Sequence, residues 1–214
     1  MSDQPGGPSG YPPDTATAYE SQYPIQYSVD YPERPLNRLT SALRIFTAIP
    51  IVILAAAVSG GGYAAGGILF LGPLLMILFR QKYPRWWFDW NRELLRFENR
   101  VGVYVALMDD RYPSTDEPQS VHLEFEIPDA ARDLNRWLPL IKWLLALPHY
   151  IVLLFLYLGA LVAIIIAWFA ILFTGRYPRS LFEYLVGVGR WHNRVVGYAF
   201  LLVTDRYPPF RLAP

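Results

Sequence analysis

The chain has 214 residues, 53% of them apolar, and a formal net charge of +1. So small a charge offers no bulk attraction to nucleic acid, and the lack of cysteine excludes a disulfide framework and a thiolate metal site. All but two of the 19 basic residues are arginine, whose planar fork suits phosphate and carboxylate groups.

Residues 1–22 are rich in Pro, Gly, Ser and Tyr and show no apolar period. They are expected to form a disordered tail, and they lack the basic-then-apolar start of a signal peptide. A strand is predicted next. Ile25, Tyr27, Val29 and Tyr31 alternate with Gln26, Ser28 and Asp30, the period of a half-buried strand.

A basic lead-in (Arg34, Arg38, Arg44) precedes a stretch from Ile45 to Phe79 without a charged residue. A spanning helix needs roughly 20 apolar residues, so this stretch is too long for one helix and suits a tight helical hairpin. Its helices are predicted at 37–58 and 63–80, turning at Ser59-Gly60-Gly61-Gly62, with Pro50 kinking the first. An amphipathic helix follows. Trp87, Trp90, Leu94, Phe97, Val101 and Tyr104 recur at steps of three and four, with Asp89, Arg92, Glu93, Arg96, Asn99 and Arg100 between them.

The same series then begins again. Val121, Leu123, Phe125 and Ile127 alternate with His122, Glu124 and Glu126. Arg132, Arg136 and Lys142 lead into a second uncharged stretch, Trp143 to Gly175. Membrane helices are predicted at 137–157 and 160–175, with Gly159 as the only punctuation and Pro148 matching Pro50. Leu181, Tyr184, Val188, Trp191, Val195 and Tyr198 form the second amphipathic stripe. Short motifs recur in register: Leu36-Asn37-Arg38 with Leu134-Asn135-Arg136, Tyr83-Pro84-Arg85 with Tyr177-Pro178-Arg179, and Asp110-Arg111-Tyr112-Pro113 with Asp205-Arg206-Tyr207-Pro208.

These patterns predict an all-α integral membrane protein of two tandem repeats, 23–118 and 119–214. Each repeat comprises a short strand, a transmembrane hairpin and an amphipathic helix. The two strands form a small cytoplasmic β element, joined by Val103–Asp109 and Tyr198–Thr204. The basic flanks lie on one side of both hairpins, which puts both termini in the cytoplasm. The repeats are then parallel, related by a pseudo-two-fold axis along the membrane normal. A wedge that enters and leaves one leaflet is the alternative, because each half-stretch is barely long enough to span.

At the second repeat the residues resemble a known family. Leu140-Ile141-Lys142-Trp143-Leu144-Leu145-Ala146-Leu147-Pro148-His149-Tyr150 is similar to the signature of the bacterial domain-of-unknown-function 4389 family. So are Phe173-Thr174-Gly175-Arg176-Tyr177-Pro178-Arg179 and Thr204-Asp205-Arg206-Tyr207-Pro208-Pro209-Phe210. The first repeat is a diverged copy, with Ile51 in place of His149. The resemblance implies a multi-pass protein of the bacterial plasma membrane and supplies no catalytic residue.

No phosphate-cradling loop, serine elbow or paired metal ligands occur in the sequence. His149 and His192 could ligate a haem axially, but nothing in the spacing fixes their distance, and no cofactor or metal is expected. The expected role is non-enzymatic: a scaffold, accessory subunit or membrane-organising module that contacts lipids and forms a homo-oligomer or joins a larger complex. The alternative is a small lipid transporter or channel-forming oligomer. The contact residues are expected on the amphipathic helices and repeat ends: Asp89, Asn99, Arg100 and Arg111 in the first repeat, and Glu183, Asn193, Arg194 and Arg206 in the second. In the Asp-Arg-Tyr-Pro motif, Asp and Arg are expected to pair and lock the end of the repeat.

Overall fold

The computed structural model describes residues 23–59 and 68–214. The tail at 1–22 and the turn at Gly60-Gly61-Gly62 lie outside the described residues, as does the start of the helix expected at 63–80. In chain order the elements are β1 (Gln26–Val29), α1 (Arg38–Ala42), α2 (Arg44–Ser59), α3 (Ile68–Arg80) and α4 (Arg85–Val105), followed by β2 (Val121–Glu124), α5 (Pro139–Leu145), α6 (Leu147–Thr174) and α7 (Arg179–Ala199).

The two predicted strands pair with each other, antiparallel, with Gln26 opposite Glu124 and Val29 opposite Val121. Their alternation sets the layering. Tyr27, Val29, Val121 and Leu123 are buried against the helices, while Ser28, Asp30, His122 and Glu124 face outward. Among the described residues the sheet has two strands. The segments expected to join it do not: residues 103–105 and 198–199 end the helices α4 and α7. Their backbone N–H groups turn back onto the helices, Ala106 to Gly102 and Phe200 to Val196, and two strands suffice because α4 and α7 cover their apolar face.

The strand pair lies on α4 and α7. On the far side of these helices, α2 packs on α4 and α6 packs on α7. Three layers result: strands, amphipathic helices, apolar helices. The halves also cross over. α3 packs on α5, and α1 packs on α6, tied by the Trp168 indole N–H donating to the Ser41 carbonyl at 3.1 Å. Tyr83 donates to the Leu201 carbonyl at 2.8 Å, and Tyr177 to the Ala106 carbonyl at 3.2 Å.

The hairpin expected over 143–175 is replaced by one continuous helix of 28 residues, α6. Gly159 is not a turn. It sits in mid-helix, and the hydroxyl of Tyr184 lies only 2.5 Å from where a Cβ would stand. That hydroxyl donates to the Leu156 carbonyl at 2.9 Å. The glycine therefore permits close approach of a neighbouring helix, a second use of the residue that looks identical in sequence. The helix ends at Gly175, whose φ of +74° gives the left-handed cap that glycine favours.

The predicted 37–58 and 137–157 helices are each broken near their start, at Leu43 and at Ala146. Pro148 is consequently in the first turn of α6, where its missing N–H has no intrahelical bond to lose. Pro50 does lie within a helix, as expected. Leu107 and Leu202 follow α4 and α7 with φ of +64° and +58°. Such backbone costs about 1–2 kcal/mol in an L-residue, and complete burial of both side chains holds it in place.

Candidate functional site

Three local arrangements concentrate the polar chemistry of the molecule. The first is a lock at the foot of each apolar segment. Asp110 accepts from the Arg44 guanidinium at 2.8 Å and from the Asn37 backbone N–H at 2.7 Å. Arg44 also donates to the Asp109 carbonyl at 2.9 Å, and its guanidinium lies 3.9 Å from the Tyr104 ring centroid. In the second half Asp205 meets the Lys142 ammonium at 2.6 Å and accepts from the Asn135 N–H at 2.5 Å, and Lys142 also donates to the Thr204 carbonyl at 2.7 Å. Arg44 and Lys142 are buried.

The sequence motif thus locks the fold, but with a different partner from the expected one. The aspartate of each motif takes a cation some 60 residues upstream, at sequence separations of 66 and 63. Arg111 pairs instead with Asp109, at 3.0 Å. Asp109 is held below the usual carboxylate range: burial opposes this, but bonds from Ser120 and Arg111 outweigh it.

The second arrangement is at the centre of the middle layer. Asn99 and Asn193 exchange two amide bonds, each 2.8 Å, between α4 and α7. Beside them is a cavity of about 300 Å³ with Glu98, His192 and Tyr157 in its wall. The Ser59 hydroxyl donates to Glu98, and His192 Nδ1 shares a 2.7 Å bond with the Tyr157 hydroxyl. Sequence reasoning did not single out Glu98. Its only signal was a carboxylate flanked by apolar positions on an amphipathic stripe.

Burial pushes the Glu98 carboxyl up, although the Ser59 bond works against it. Burial pushes His192 down. A raised carboxyl stabilises the fold below its ordinary value of 4.5 and loses that contribution as pH rises through the folded value. A lowered imidazole contributes fully above its ordinary 6.5, and that contribution is lost as pH falls through the folded value of about 4. Glu98→Gln is therefore expected to raise the thermal midpoint at neutral and alkaline pH and to leave it little changed at pH 4. Thermal unfolding in detergent across pH 4–9 checks this.

The third arrangement surrounds His149, which is fully buried. Its Nδ1 accepts from the Trp191 indole N–H at 3.0 Å, and its ring stacks on Phe210 at 4.0 Å. His149 and His192 thus have separate partners, and among the described residues no cluster of three or more potential metal ligands occurs.

The expected contact residues divide by their partners. Arg100 donates to the Ser114 carbonyl at 2.6 Å, and Arg194, fully buried, donates to the Arg211 and Ala213 carbonyls at 3.3 and 3.1 Å. Asn99 and Asn193 serve each other. Glu183 is exposed and Asp89 half-buried, and each pairs along its own helix, Asp89 with Arg92 at 3.4 Å and Glu183 with Arg179 at 3.2 Å. Arg206 lies beside Tyr23, whose hydroxyl donates to its carbonyl at 3.0 Å.

The outer layer is largely apolar. α6 buries Ala146 at its start, then His149, Leu153, Ala160, Ala163, Ala167 and Ile171, a stripe at steps of mostly three and four. The opposite side bares Ile151, Phe155, Leu158, Val162, Ile165, Phe169 and Phe173. α2 and α3 also expose Ile45, Phe46, Ile53 and Phe79. Among the described residues α6 alone is long and apolar enough to cross a membrane. Extended bare apolar surface is a feature of membrane and partner contacts.

The family model described as Domain of unknown function (DUF4389) matches residues 136–211. The match supports the family resemblance carried by the motifs of α5, the two ends of α6 and the C-terminal segment. No curated protein and no solved structure matches the chain.

Proposed function

We propose that the protein is a membrane-organising module without chemistry of its own, built from two copies of one unit and acting through lipid and protein contacts. The bare apolar layer carries the reading. Transferring that surface from water to hydrocarbon contributes roughly 25 cal/mol per Å², and the buried locks fix the layer rigidly on its scaffold. On this reading Asp89, Glu183, Arg111 and Arg206 are the residues that meet headgroups or a second subunit. Arg100, Arg194, Asn99 and Asn193 support that surface from within. The proposed home is the bacterial plasma membrane, with both termini in the cytoplasm.

Matched contacts support the two-copy reading. Strand pairs with strand, Asn99 with Asn193, and the two locks have the same parts. Tyr83 and Tyr177 cross reciprocally, and Leu107 and Leu202 share an unusual backbone. On this reading a two-fold axis passes through the strand pair and the asparagine pair.

The test is flotation with vesicles of phosphatidylcholine and phosphatidylglycerol. The protein is expected to rise with the vesicles. Phe155→Asp combined with Ile165→Asp, on the bare side of α6, is expected to abolish flotation while the strand and helix signals persist. Flotation unchanged by the pair would remove the membrane role of this face. A lipid transporter is the second reading, favoured by a lateral cavity of about 360 Å³ between α6 and α7, lined by Tyr150, Leu153, Tyr157, Val195 and Phe200. Transfer of fluorescent lipid between vesicles by the reconstituted protein would select it.

A further inference from the structure

We infer that the apolar layer enters one leaflet only, with α6 lying in the membrane plane. The inference rests on the two-copy membrane reading and assigns the depth and direction of the contact. The occupant of the apolar face is a single leaflet of acyl chains.

The argument starts from the ends of α6. Its N-terminal end starts at the Lys142–Asp205 lock, and the Leu145 carbonyl just before it accepts from Tyr207 at 3.1 Å. Its C-terminal end lies at the other lock: Gly175 accepts at 2.8 Å from the backbone of Leu36, next to the Asn37 that binds Asp110. The two locks are equivalent under the two-fold axis. Equivalent points lie at the same height along that axis, so α6 joins two points of equal height. It therefore runs across the axis, not along it. It also packs along α7, which runs in the opposite direction between the same two regions.

The layers supply the second, independent step. Along the axis the molecule is polar at one end, where Ser28, Asp30, His122 and Glu124 are exposed, and apolar at the other, where the bare sides of α2, α3 and α6 lie. If α6 crossed the bilayer, the axis would lie in the membrane plane. The strand face would then be turned sideways at the depth of the helix middle, exposing Asp30, His122 and Glu124 to acyl chains. Charged groups at that depth cost several kcal/mol each. With the axis along the membrane normal, the same residues stand in water. Exposed Trp86, Trp90, Trp137 and Trp143 then suit the headgroup boundary that tryptophan favours.

The native sequence has no cysteine, so single cysteines report cleanly. Trp137→Cys and Arg176→Cys bracket the long helix at exposed sites. In sealed vesicles a membrane-impermeant maleimide added outside is expected to modify both to the same extent, molecule for molecule. Nitroxide labels at Phe155 and Ile165 are expected at equal depth, within about 15 Å of that surface, half the hydrocarbon core. Modification of the two ends from opposite sides, or a depth gradient from Phe155 to Ile165 that passes the bilayer centre, overturns one-leaflet insertion while the membrane reading stands. Failure of the unlabelled protein to float with vesicles overturns the membrane reading itself. Because both labelled ends are exposed, a variant that loses its fold is replaced by its neighbour, Arg136→Cys or Thr174→Cys, with the same two outcomes.

Discussion

Asp205→Ala is expected to destabilise the protein by about 3–5 kcal/mol, the range for removing one partner of a buried ion pair. Lys142 is fully buried and lies 2.6 Å from Asp205. Without the carboxylate its ammonium keeps one carbonyl, that of Thr204, and the Asn135 N–H loses its acceptor. Burial already pulls the Lys142 amine below its usual value, and Asp205 is what opposes the pull. Lys142→Met is expected to cost less, because Asp205 retains the Asn135 N–H and some contact with water. Lys142→Met combined with Asp205→Asn is expected to recover part of the loss, since it leaves no unpaired buried charge. Asp110→Ala is expected to be milder than Asp205→Ala, as Arg44 keeps the Asp109 carbonyl and the face of Tyr104. Thermal midpoints in detergent for these four variants give the ranking. Equal losses for Lys142→Met and Asp205→Ala would contradict the stranded-charge account.

The second large effect is expected at Arg194. Its guanidinium is buried, lies 5.7 Å from the Tyr23 ring centroid, and holds the carbonyls of Arg211 and Ala213. Arg190 holds the intervening Leu212 carbonyl at 2.7 Å. Leu212 in turn lies against Gly187, with its Cβ 2.9 Å from where a Cβ on that glycine would stand. Two bonds from a charged donor, each worth about 1.5–3 kcal/mol, secure the last residues of the chain. Arg194→Gln is expected to cost about 2–3 kcal/mol and to release the C-terminal segment to proteolysis. Arg194→Lys is expected to rescue little, because a point charge cannot span two carbonyls as the fork does. Persistent protection of residues 207–214 in Arg194→Gln would show that packing of Leu212 and Phe210 holds the segment alone.

These variants also separate support from contact. Arg194 and Arg100 spend their donors on the chain's own carbonyls, so their loss acts first on stability. Glu183 is exposed and Asp89 half-buried on the helix surface, and changes there are expected to leave the stability within about 0.5 kcal/mol of the parent, as is usual for surface sites. A change in lipid or partner retention at those two positions, without a change in stability, is the signature of a contact.

The elements with a periodic environment were legible along the chain. Alternation at 25–31 and 121–127 sufficed for the strands, because a half-buried strand has one apolar side and a period of two. The stripes at 87–104 and 181–198 sufficed for the amphipathic helices for the same reason, with a period near 3.6. The matched Asp-Arg-Tyr-Pro segments and the basic lead-ins were also visible, and each motif aspartate meets a lead-in cation, Asp110 with Arg44 and Asp205 with Lys142. Tertiary structure alone decided what the uncharged stretches do. A helix that is apolar on every side has no period that distinguishes core from lipid, or span from in-plane course, and its length admits either. Gly159 could be a turn or a point of close approach, and only the ring of Tyr184 beside it makes it the second. Likewise the partner of Asp110 could be its neighbour Arg111 or a distant cation. Arg44 takes the place because it is brought there buried, where a bare guanidinium needs a carboxylate more than an exposed one does.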